Sequence, residues 1–109
     1  MGKAGIDLLS EGACVKVYIL GQMRGLPEEV WRKSFNDAAD KLRRAGHEVM
    51  NPAAANLERW DDRQTFKYLL SWICDEAEAF AALPGFSMSE GASSEYFLAK
   101  RLGLKRIQL

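Results

Sequence analysis

The chain has 109 residues, long enough for one modest hydrophobic core and too short for two. Its 15 basic and 15 acidic side chains cancel, so no global field draws it to nucleic acid or to an anionic membrane surface. Two cysteines far apart, Cys14 and Cys74, and a single histidine, His47, suggest neither a disulfide framework nor a metal site, and both thiols are expected to be reduced and partly buried.

Residues 1–14 carry glycines and charges without a sustained period and read as a flexible arm ahead of one domain over residues 15–109. The N-terminus has no apolar h-region and no later run is long enough to cross a bilayer, so a soluble, cytoplasmic protein is expected. Val15-Lys16-Val17-Tyr18-Ile19-Leu20 is β-branched and mostly apolar up to Gly21, the pattern of a buried strand. The loop Gly21-Gln22-Met23-Arg24-Gly25-Leu26 then delivers Pro27, a residue suited to the first turn of a helix, with Glu28 and Glu29 placed to complement the dipole. Trp31, Phe35, Ala38, Leu42 and Ala45 recur at helical spacing, and Gly46 supplies the stop.

His47-Glu48-Val49-Met50 is a short strand broken by Asn51-Pro52. A polar connection containing Trp60, Asp61 and Asp62 leads to a second helix with Phe66, Leu70, Ile73, Ala77 and Phe80 on one face. The third strand falls near Ala79 to Leu83; its border with that helix is open, because alanine and glutamate there also suit a helix. A third helix runs from about Ala92 to Leu102, and Lys105-Arg106-Ile107-Gln108-Leu109 closes the chain as a short strand.

Strands alternating with helices imply a mainly parallel sheet covered on both faces: a small three-layer α/β domain, Rossmann or flavodoxin-like, with four strands in the order 2-1-3-4. Ligands of such sheets sit beyond the carboxyl ends of the strands where the winding reverses, here between the first and third. Gly21 to Gly25, Asn51-Pro52 and Pro84 to Glu95 all fall at carboxyl ends. Three breaks rich in glycine, proline and small polar residues therefore converge on one crevice.

Leu83-Pro84-Gly85-Phe86-Ser87-Met88-Ser89-Glu90-Gly91-Ala92-Ser93-Ser94-Glu95 carries the most chemistry. A glycine and serine loop entering a helix presents unpaired N–H groups and the positive end of the dipole to an anion, with the Glu95 carboxylate one turn beyond. Taken alone, the stretch reads first as a strand-to-helix turn in which a serine caps the helix and Glu95 complements the dipole. The rest of the chain decides between the two.

Tyr18-Ile19-Leu20-Gly21-Gln22-Met23-Arg24-Gly25-Leu26-Pro27, then Gly46-His47-Glu48-Val49-Met50-Asn51-Pro52, then Leu83-Pro84-Gly85-Phe86 with Ser89, Gly91-Ala92, Glu95, Ala99 and Leu102-Gly103-Leu104 resemble the nucleoside 2-deoxyribosyltransferase-like superfamily. Within it the chain is most similar to the small phage and bacterial DUF4406 branch. The resemblance runs from Val15 to the C-terminus. It implies cleavage or transfer at the N-glycosidic bond of a nucleoside or nucleoside 5′-monophosphate, with Glu95 matching the nucleophilic glutamate. A carboxylate below the sugar can attack C1′ as the base departs, and water or a second base then resolves the glycosyl-enzyme.

Ser89 matches a position that is serine in similar nucleotide hydrolases, where it contacts the 5′-phosphate, and acidic in nucleoside transferases; a serine donates to phosphate without repelling it, which favours a monophosphate. Gly21 and Gly25 would let the first loop approach sugar or phosphate, with Gln22 beside them and Gly85, Phe86, Ser87 and Gly91 in the second loop. Arg24 is read either as a phosphate clamp or as a solvated loop cation. Tyr18 either faces the base or packs in the sheet, and Asn51 either meets the ligand or only turns the chain ahead of Pro52.

Several positions depart from the resemblance. Where an aspartate on the second helix is expected to orient the sugar, the match places Leu69 or Leu70, and Glu78 stands for the acidic residue at the start of the third strand. Asp62 and Asp75 are substitutes or ordinary exposed charges. Gln22 and Phe86 replace a usual proline and tryptophan. A nucleotide-binding module that has lost the reaction is therefore the alternative. A phosphoribohydrolase similar to the lysine-decarboxylase-like proteins is a weaker one, since Pro84-Gly85 lacks the following Gly-Thr pair. No metal or organic cofactor is implied, the partner is a small nucleoside or nucleotide, and a homodimer is expected because an open four-stranded sheet leaves apolar surface to cover.

Overall fold

The computed structural model describes residues 14–55 and 61–109. The arm expected over residues 1–14 lies, apart from Cys14, outside the described residues, as does Trp60.

Along β1 (Lys16–Leu20), Val17 and Ile19 point to one face of the sheet and Tyr18 and Leu20 to the other, and this alternation builds two cores. β1 pairs in parallel with β2 (Glu48–Met50) and with β3 (Ala79–Ala82), and β4 (Lys105–Arg106) pairs in parallel with the outer side of β3. The order is 2-1-3-4, as the alternation of elements predicts. On the first face α1 (Glu28–Arg44) lays Phe35, Ala38, Ala39 and Leu42 over Val17, Ile19, Ala79 and Ala81. On the second, α2 (Asp62–Asp75) and α3 (Glu90–Arg101) lay Leu69, Ile73, Ala92 and Ala99 over Tyr18, Leu20 and Phe80. The domain thus has three layers.

The helix ends follow local chemistry. Pro27 precedes α1, Glu28 and Glu29 meet its positive end, and Gly46 leaves it at φ +97°, a conformation that costs a residue with a Cβ. At α2, Asp61 Oδ1 accepts from the Gln64 N–H at 2.8 Å while Gln64 Oε1 accepts from the Asp61 N–H at 3.1 Å. This reciprocal box contributes about 1 kcal/mol and fixes where the helix starts.

Four expectations are corrected. The predicted face of the second helix runs too far: α2 ends at Asp75, its buried residues are Leu69 and Ile73, and Phe80 belongs to β3. The cause is the sheet, because the Glu78 N–H donates to the Lys16 carbonyl at 2.8 Å and draws the chain into strand pairing three residues after the helix. α3 starts at Glu90 rather than Ala92, since Ser89 takes the cap position. β4 is Lys105–Arg106 alone, although the Ile107 N–H still reaches the Phe80 carbonyl at 2.8 Å. Both thiols are exposed, Cys14 just ahead of β1 and Cys74 on the outer side of α2 next to buried Ile73.

Gly21 is a packing glycine. A Cβ there would come within 2.7 Å of Leu83 Cδ1, closer than carbon atoms approach, so only glycine lets the end of β1 lie against the residue that follows β3. That close approach brings the first and third loops together over the sheet.

Candidate functional site

In α3, Ala92, Glu95 and Ala99 recur at intervals of three and four residues, and all three are buried against the sheet. The middle position of this stripe is therefore a carboxyl group in a place that elsewhere holds alanine. Directly below it Tyr18 rises from β1, itself 1% exposed, and its Oη donates to Glu95 Oε2 at 2.7 Å. Among the described residues no lysine or arginine forms an ion pair with Glu95, which is 7% exposed.

The electrostatics follow from that isolation. Burial disfavours the charged form and pushes the Glu95 carboxyl up from 4.5 to about 7, while the Tyr18 hydroxyl, by donating to the carboxylate, pulls the other way. Burial first, and then the charge of Glu95, raise the Tyr18 hydroxyl well above its ordinary 10. Tyr18 is therefore a donor wherever Glu95 titrates. A buried carboxyl poised near neutrality and lining a cleft is able to exchange a proton or to attack as a carboxylate at neutral pH.

The cleft has a volume of about 940 Å³ and opens at the carboxyl ends of β1 and β3. Tyr18, Gly21, Arg24, Ser89, Gly91 and Glu95, all singled out in the sequence, line it together. Gln22, Gly25, Asn51, Gly85, Phe86 and Ser87 are outside its lining. The Gln22 amide turns back to the Arg24 carbonyl at 2.9 Å, and Gly25 and Gly85 supply left-handed turns at φ +89° and +81°. Asn51 Oδ1 accepts from the Ala53 N–H at 3.0 Å and caps a single 3₁₀ turn over Pro52–Ala54, while its amide donates to Asn36 Oδ1. Phe86 packs its ring 4.8 Å from that of Tyr96, and the Ser87 carbonyl accepts from Ser93 Oγ.

Ser89 Oγ accepts from the Ala92 N–H at 3.2 Å, so it serves as the N-cap of α3 while lining the cleft. Arg24 reaches across the mouth and donates from Nη2 to Asp62 Oδ1 at 2.6 Å. Of the two leucines that occupy the place of the expected aspartate, Leu69 lines the cleft. Glu78 lies at the opposite end of the sheet, accepting from the Lys16 N–H at 2.9 Å, and Asp75 is exposed at the end of α2.

The walls were not legible as site residues. Phe35 reads as helix core, which it also is, while Leu69 enters the sequence reading only as one of two leucines in the place of an expected aspartate, and nothing in the spacing of either marks the edge that faces the cleft. Met88 and Phe97 stand at the rim, 77% and 70% exposed, and Phe66 closes the side next to Gly91.

Fold and site define an α/β domain that ends its inner parallel strands beneath a buried, tyrosine-bonded carboxyl group. The chain belongs to the DUF4406 family, a domain of unknown function, whose family model matches residues 15–108. No curated protein and no solved structure shows a significant match to the chain. Among the described residues no helix is long and apolar enough to cross a membrane.

Proposed function

We propose that the protein cleaves the N-glycosidic bond of a nucleoside or nucleoside 5′-monophosphate through Glu95, as the resemblance to nucleoside 2-deoxyribosyltransferase-like enzymes implies. The observation that carries this reading is the Tyr18–Glu95 pair at the floor of a cleft large enough for a nucleoside. Ionised Glu95 attacks C1′, the C1′–N bond breaks, and the base leaves with the electron pair and takes up a proton. Water then adds at C1′, the ester bond to Glu95 breaks, and the carboxylate returns; a second base in place of water gives transfer. Burial contributes by keeping the carboxylate poorly solvated and nucleophilic, and Tyr18 fixes its orientation.

Chromatography of free base after incubation with a panel of common and modified deoxynucleosides and their 5′-monophosphates tests the proposal. Release from at least one substrate is expected, reduced roughly a thousandfold in Glu95→Ala. An inert wild type indistinguishable from that variant overturns it.

A second reading is favoured by one specific observation: Leu69, an apolar side chain, lines the cleft where the resemblance calls for a sugar-orienting aspartate. On that reading the domain binds a nucleotide without turning it over, and the expected result is ligand-dependent thermal stabilisation without product.

Met88 and Phe97 leave an apolar rim beside the cleft, which supports a homodimer that covers it. Light scattering at micromolar concentration is expected to give twice the chain mass, and Phe97→Asp to return the monomer; a monomeric wild type counts against the assembly.

A further inference from the structure

On the reading of Glu95 as the reacting group, we infer that Asp62 is a specificity-determining residue, holding Arg24 across the mouth so that the site takes a nucleoside in preference to its 5′-monophosphate. This reverses the preference that Ser89 suggests from sequence, and the reason is the company Arg24 keeps. It is the one lysine or arginine lining the cleft among the described residues, and the charged groups that share the lining are Asp62, Glu90 and Glu95.

Arg24 Nη2 and Asp62 Oδ1 are 2.6 Å apart, so the guanidinium already has a carboxylate beside it across the mouth. Glu90 adds a second carboxylate whose charge reaches Arg24 and holds its guanidinium more firmly protonated, after the larger effect of Asp62 itself. The positive end of α3 is likewise partly compensated, since Ser89 caps the Ala92 amide and Glu90 occupies the first turn. A phosphate dianion entering here exchanges a salt bridge for a salt bridge and meets the carboxyl groups of Glu90 and Glu95 besides. A neutral nucleoside meets neither penalty.

The size of the effect comes from Coulomb's law. One carboxylate about 6 Å from a dianion, at the dielectric constant of water, lowers its affinity about tenfold. The ion pair adds little intrinsic stability, because both side chains are more than 80% exposed, 83% for Arg24 and 81% for Asp62. Asp62 thus acts on ligand charge rather than on the fold.

The test compares Asp62→Asn and Asp62→Glu with the wild type, using a deoxynucleoside and its 5′-monophosphate as both substrates and thermal-shift ligands, with inorganic phosphate as a third ligand. The ratio of monophosphate to nucleoside kcat/KM is expected to rise about tenfold in Asp62→Asn and to return in Asp62→Glu. Monophosphate and inorganic phosphate are expected to bind Asp62→Asn about tenfold more tightly, an advantage that shrinks as salt is added. An equal change for both substrates, or a fall for the monophosphate, overturns the inference, because a merely structural Asp62 gives that result. If no base is released but phosphate affinity rises in Asp62→Asn, the Glu95 reaction fails and the charge selection stands. If base is released with the ratio unmoved, the reverse holds. Failure of every ligand to stabilise either protein at millimolar concentration also overturns it.

Discussion

At pH 8 the Glu95→Gln variant is expected to be more stable than the wild type by about 3 kcal/mol, and at pH 4.5 the two are expected to be equally stable. The sign follows from linkage. The carboxyl titrates near 4.5 in the unfolded chain and at about 7 in the fold. Below pH 4.5 both states hold the proton, and the buried group is a neutral acid bonded to Tyr18. Between pH 4.5 and 7 the unfolded chain releases its proton while the fold retains it, so stability falls as pH rises. Above pH 7 the fold carries a buried carboxylate at full cost. Glutamine has the same shape, still accepts from the Tyr18 hydroxyl, and never ionises, so it keeps the stability that the wild type has in acid. In melting temperature the gain at pH 8 is on the order of 10 °C for a domain of this size. A pH series of thermal melts checks it, and a difference between the two proteins that does not change with pH would show that the Glu95 carboxyl titrates in the fold where it does in the unfolded chain. The same variant is expected to lose base release, so stability and activity move in opposite directions at one residue.

The glycine and serine loop ahead of α3 and the resemblance make Glu95 visible in the sequence, whereas the conflict between its charge and its buried position is not visible there. The β1 strand, α1 and the Gly46 stop were legible because one period or one special residue decided each. Glu95 was legible as a helix residue one turn beyond a glycine, but its burial was not, because Ala92 and Ala99, which complete its stripe, look the same on a buried face as on an exposed one. The border of α2 and β3 was illegible for a related reason. Ala79-Phe80-Ala81-Ala82 has no β-branched residue, and it becomes a strand only because Val17 to Leu20 of β1 offer a ladder beside it. Asn51, Gly85 and Phe86 were placed at the right ends of strands, yet their side chains or backbone conformations serve their own turns and the packing of Tyr96. Position in the fold was readable from the order of elements, whereas the direction of a side chain depends on neighbours far away in the chain.

Tyr18→Phe is expected to move the titration of Glu95 upward by about one to two pH units, since a hydrogen bond to a charged buried group contributes about 1.5–3 kcal/mol. Burial, which raises the carboxyl, is opposed only by the Tyr18 hydroxyl; with that donor gone the opposition is gone. Phenylalanine fills the same space in the core beside Leu20 and Phe80, so the fold is retained. The acid limb of the pH dependence of kcat/KM is expected to shift by the same amount, with a loss of roughly tenfold or more at pH 7 and recovery toward pH 9. Titration of the Glu95 carboxyl carbon by NMR reads the shift directly, without any turnover. A tyrosine that only packs would give a variant whose Glu95 titrates where it does in the wild type, and that outcome would remove Tyr18 from the site. Because the raised tyrosine hydroxyl stays protonated throughout this range, it is one donor at one fixed place, and that single oxygen atom offsets part of the rise that burial imposes on the carboxyl.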